Sequence, residues 1–167
     1  MAKSARFDPP RREGVGRIFT SEPVDISFAG PEHRCYRIDL EFVGLFHGGP
    51  SYKALIFLNN PKADAKTERS LETGYAGAFS IFGHGGCLGD PGHCEVNETK
   101  RETFDFRPPN PLTPANKRVI VTEAVAELAK RSATATITVV PVIQAVNSLC
   151  ETDDVFRCER MGFVTYN

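Results

Sequence analysis

Apolar side chains recur at every second position in two stretches of the chain, and that spacing predicts β-strands. In the first, Tyr36, Ile38, Leu40 and Phe42 alternate with Arg37, Asp39 and Glu41, as in a strand with one wet face and one buried face. In the second, Tyr75, Gly77, Phe79 and Ile81 alternate with Ala76, Ala78, Ser80 and Phe82. Residues 54–58 are apolar throughout, which suits a central strand covered on both sides. Residues 134–143 are rich in threonine and valine, whose branched Cβ favours extended backbone. Shorter β-like runs stand at residues 17–20 and 24–28, split by Pro23, and again at 118–121 and 163–166.

One segment has helical spacing instead. Ala124, Val125, Leu128 and Ala129 form an apolar stripe; Thr122 is the expected N-cap, Glu123 sits in the first turn, and Lys130 and Arg131 close the last. Turns are expected at residues 45–51 and across the polar stretch 59–73. The segment Pro108-Pro109-Asn110-Pro111 excludes an interior strand there. About seven strands with one short helix predict an all-β fold, an antiparallel β-sandwich of jelly-roll-like kind. Residues 1–14 are polar and proline-bearing and are expected to be a loose arm. Residues 15–167 are expected to form one sandwich domain, long enough to bury a core.

The formal charge of −1 leaves no global field to recruit nucleic acid or an anionic membrane. No apolar run approaches membrane-spanning length, and the N-terminus lacks the apolar stretch of a signal peptide, so a cytoplasmic location is expected. The sequence contains no Gly-x-Ser-x-Gly elbow, phosphate loop, His-Glu-x-x-His helix or glycine-rich dinucleotide turn.

Candidate chemistry gathers after the second alternating strand. Residues 83–94 are glycine-rich and carry His84, Cys87, His93 and Cys94. Two thiolates and two imidazoles are donors suited to Cu(I) or Zn(II). The same loop also reads as a hairpin stapled by a Cys87–Cys94 disulfide, or one with plain thiols, with the histidines exposed. Cys150 and Cys158 form a second close pair, and Cys35 is left over as a small hydrophobe beside Tyr36. No cofactor is required by the chain as a whole; Cu or Zn is the ion the Cys/His loop would take if it binds metal.

Several stretches together resemble the C-terminal β-sandwich domain of binuclear copper proteins: tyrosinases, polyphenol oxidases and molluscan haemocyanins. They are the strand from Tyr36 towards Phe46, the passage Tyr75-Ala76-Gly77-Ala78-Phe79, and Phe104-Asp105-Phe106-Arg107 followed by Val119-Ile120-Val121-Thr122 and the helix. The proline-bearing strand at 136–142 completes the series. The resemblance covers about residues 15–145, and it implies a partner: a tyrosinase-like copper catalytic domain, on the same or a separate chain. It also implies that a bulky residue on a sandwich loop plugs the entrance to the partner's copper site, and Leu45, Phe46 and His47 stand in that position. The family's copper-binding helical domain is missing, and a dicopper site there draws on more histidines than the four present here, His33, His47, His84 and His93. The chain alone is therefore not expected to be an enzyme and has no catalytic residues to assign. The expected role is a domain that shields, stabilises or copper-loads a catalytic partner. The alternatives are a free-standing metal or thiol module built on the His84/Cys87/His93/Cys94 loop, and an adhesion or assembly domain without small-molecule chemistry.

Overall fold

A computed structural model describes residues 17–30, 36–84, 113–143 and 155–166. Within them the chain runs β1 (Phe19–Thr20), β2 (Val24–Asp25), a 3-10 turn (Ser27–Ala29), β3 (Arg37–Leu45), β4 (Tyr52–Leu58) and β5 (Tyr75–Ile81). Then come β6 (Ala115–Ile120), α1 (Thr122–Ala129), β7 (Thr134–Ala135), β8 (Ile137–Ile143) and β9 (Arg160–Tyr166). Strand order is β1-β8-β4-β5 in one sheet, β6-β3-β9 in a second and β2-β7 in a small third. Every pairing is antiparallel. The expected all-β class is what the chain adopts.

The two larger sheets share one core. Ile38, Leu40 and Phe42 of β3 pack in the same cluster as Tyr52, Ala54, Ile56 and Leu58 of β4. Phe42 and Phe79 of β5 meet across the sheets with ring centroids 4.7 Å apart, the spacing at which tilted aromatic pairs attract. Val125 and Leu128 of α1 are buried in that core. β4 is apolar on both faces because both are covered: Leu55 and Phe57 join Ala63 and Val140 in a second cluster.

Local departures from the sequence pattern have identifiable causes. On β3 the pairing with β6 shifts between Phe42 and Leu45: Phe42 lies opposite Lys117 and Leu45 opposite Ala115. One extra residue on β3 makes a bulge, and Gly44 supplies the positive φ of 68°. The inward phase therefore moves from even to odd positions. A second shift falls between Ile56 and Phe57 of β4, opposite Gly77 and Tyr75, with Gly77 at φ 136°. Tyr75 consequently does not share the face of Phe79 and Ile81. It packs in the second cluster, its ring 5.5 Å from that of Phe57.

Three smaller expectations are also corrected. Thr122 does not cap α1; Val121 holds the N-cap position without a side-chain bond, and the Thr122 hydroxyl accepts the Ile38 N–H at 2.9 Å. Tyr36 is 85% exposed, so the inward face of β3 begins at Ile38. The strand expected over 134–143 is interrupted at Thr136, whose N–H is taken by the Asn59 side chain at 2.7 Å. The piece before the break, β7, pairs with β2. Asp39 is fully buried although it belongs to the polar series, because the Arg37 guanidinium covers and bonds it through two contacts of 2.6 and 2.8 Å.

Candidate functional site

The expected plug residues separate at the end of β3. Leu45 has no exposed surface and sits in the core; the bulge turned it inward. A side chain without solvent-facing surface cannot reach a partner, so the partner-facing role expected of Leu45 is corrected. Phe46 and His47, the next two residues, are half-buried. The Phe46 N–H donates to the Arg157 carbonyl at 2.9 Å, and the Arg157 guanidinium lies 5.4 Å from the Phe46 ring centroid, within cation–π range.

His47 is tied on two sides. Its Nε2 lies 2.7 Å from the Thr113 carbonyl oxygen. A carbonyl can only accept, so Nε2 carries a hydrogen, and in the neutral ring Nδ1 is the bare nitrogen. Its own carbonyl accepts the His84 N–H at 2.9 Å. This second bond draws the end of β5 onto the turn after β3, and Gly83 adds to it by donating to Ser51 Oγ at 3.0 Å. Gly83 is where the approach is closest: a Cβ there would lie 2.2 Å from the Gly49 carbonyl oxygen and 2.3 Å from the Pro50 carbonyl carbon.

The two imidazoles meet as a result, with ring centroids 5.1 Å apart and planes at 66°. Phe82 stands against the other side of His84, centroid to centroid 5.8 Å and perpendicular to it. His84 Nδ1 is buried with no hydrogen-bond partner; an unpaired buried polar atom of this kind costs about 1–3 kcal/mol. Phe82 itself is 80% exposed. Among the described residues this end of the sandwich thus presents an exposed phenylalanine beside two histidines.

Of the expected metal set only His84 lies within the described residues; Cys87, His93 and Cys94, and with them the disulfide alternative, lie outside. Among the described residues no group of three or more His, Cys, Asp or Glu side chains converges. Cys158 is a free thiol, partly buried against the core, and burial pushes its pKa up to about 12. Such a thiol is a weak nucleophile and a poor ligand at neutral pH. Phe82 was missed as a site residue. The available signal was its bulk at the end of a face that otherwise carries Ala78 and Ser80.

Two antiparallel sheets closing on one core define a β-sandwich, and a solved structure shares that fold. A recombinantly expressed latent aurone synthase, a polyphenol oxidase, superposes with a TM-score of 0.50 at 15% identity, covering 90% of this chain and 25% of its own. The same enzyme from its natural source gives a TM-score of 0.47 at 16% identity, covering 89% and 24%. This chain therefore spans about a quarter of the length of the solved chains it resembles. No family model matches the sequence, and no curated protein does.

Proposed function

We propose that this chain is a non-catalytic domain that packs on a tyrosinase-like copper catalytic domain, on the same or a separate polypeptide, and shields its active site or assists its copper loading. The observation that carries the reading is the fold: nine-tenths of the chain follows one segment of a latent polyphenol oxidase. The surface suits contact with a partner. Phe82 offers an exposed aromatic ring at the end where Phe46 and His47 emerge from β3, and an aromatic side chain standing free at a strand end can be buried by a partner surface. Burying it there is worth roughly 1.5–3 kcal/mol, enough to change occupancy of a tethered site by tenfold or more. In this reading Phe82, with Phe46 and His47 beside it, takes the role expected of the Leu45-Phe46-His47 segment.

The test fuses the chain to a cognate copper domain and measures diphenol oxidation before and after proteolytic separation. The isolated chain loaded with copper is expected to be inactive. The fusion is expected to be suppressed, and Phe82→Ser to relieve the suppression. A fusion as active as the free copper domain overturns the shielding role, and undiminished suppression by the Phe82→Ser fusion overturns the assignment to Phe82.

A further inference from the structure

We propose that His47 and His84 form a two-imidazole site for a borderline divalent cation, Cu(II) or Zn(II). The residues lie on different segments, after β3 and after β5, and only the fold brings them together. The pairing was not among the ligand sets the sequence suggested. The site shares His47 with the proposed shielding surface, but it is read on this chain alone, so its failure and the failure of the shielding role are distinguishable.

Three observations carry it. First, the spacing fits. With metal–nitrogen bonds of ~2.0–2.1 Å and tetrahedral angles, two imidazoles sharing one ion have ring centroids about 5 Å apart. His47 and His84 stand at 5.1 Å with their planes well rotated from each other. Second, His47 is prepared as a ligand. Its Nε2–H donates to the Thr113 carbonyl, the outer-shell bond that metal-bound histidines usually make, which holds the ring and leaves the other nitrogen bare. Third, His84 Nδ1 is enclosed and has no hydrogen-bond partner. A bare nitrogen on one ring and an unsatisfied nitrogen on the other are the state a bound cation would relieve.

Gly83 explains how the pair is held. The absence of a Cβ lets residues 82–84 lie against the turn before β4, and the His84 N–H to His47 carbonyl bond fixes the distance between the two backbones. The rings are thus positioned by main-chain contacts rather than by each other. Borderline ions suit them because neutral imidazole binds Cu(II) and Zn(II) well, whereas Mg(II) and Ca(II) select oxygen. Two protein nitrogens leave the remaining coordination positions to water or to a partner's side chain.

The test uses the full chain. Isothermal titration with Zn(II), and separately with Cu(II), is expected to show one site. His47→Ala and His84→Ala are each expected to weaken it at least about tenfold, while a Cys87→Ser/Cys94→Ser double variant keeps it. The Cu(II) spectrum of the unaltered protein is expected to carry superhyperfine structure from two nitrogens, and this reading does not depend on any variant folding. Loss of binding in the cysteine variant with retention in the histidine variants overturns the site. So does a Cu(II) spectrum without nitrogen coupling, or the absence of saturable uptake.

Discussion

The backbone of Gly83 lies so close to Gly49 that a Cβ on Gly83 would stand 2.2 Å from the Gly49 carbonyl oxygen. Backbone cannot give way as a flexible side chain can. Gly83→Ala is therefore expected to lower stability by about 1–3 kcal/mol and to shift the His47 and His84 ring resonances. Urea titration and the histidine region of an NMR spectrum check both. Unchanged stability would mean that the approach relaxes without strain.

Leu45 and Phe82 should separate packing from surface function. Leu45 is sealed in the core, so Leu45→Ala is expected to cost about 2–5 kcal/mol. Phe82 is exposed, so Phe82→Ser should stay within about 0.5 kcal/mol of the parent. Chemical denaturation of both variants gives the comparison. Equal losses would contradict the inward turn of β3.

Alkaline pH should weaken the fold. The Cys158 thiol is raised to about 12 by burial. The Tyr52 phenol is raised by its own burial first and by Cys158 second, and its hydroxyl has no hydrogen-bond partner. Both groups are neutral when protonated, and both release protons more readily in the unfolded chain. Their contribution is complete below about pH 9, the ordinary thiol range, and erodes as pH rises towards about 12. Melting temperature should accordingly fall between these values, and Cys158→Ala should flatten the fall. Alkylation of Cys158 at pH 8 is expected to be much slower in the folded than in the urea-unfolded protein.

Asn59 combines a positive φ of 52° with three uses of its side chain. Its Oδ1 accepts from the Thr136 N–H at 2.7 Å and from the Thr136 hydroxyl at 3.3 Å, and its Nδ2 donates to the Thr134 carbonyl at 3.4 Å. Asn59→Ala loses the bonds and adds left-handed strain, for an expected loss of about 1–3 kcal/mol. Asn59→Gly loses the bonds only and should be the milder change. Thermal melts of the two variants decide; the reverse order would remove backbone conformation from the account.

The alternating and continuous apolar runs determined where β3, β4 and β5 lie and that the fold is all-β, because a period of two is a local property of extended backbone. The helix was legible for the same local reason, through the stripe ending in Val125 and Leu128. Tertiary structure decided the faces. The bulge at Gly44 reversed the phase of β3 and sent Leu45 inward, and the shift at Gly77 sent Tyr75 to the outer cluster. A glycine in a strand announces that a bulge is allowed, but whether one forms depends on the register of the partner strand. Thr122 resembled a cap and became a bond to β3, since the neighbouring strand offered its hydroxyl a better donor. The candidate site shows the same division. His84 stood out by composition, yet its meeting with His47 depends on a main-chain bond between segments far apart in the chain. Sequence spacing carries no information about such a distance; only the closure of two sheets on one core sets it.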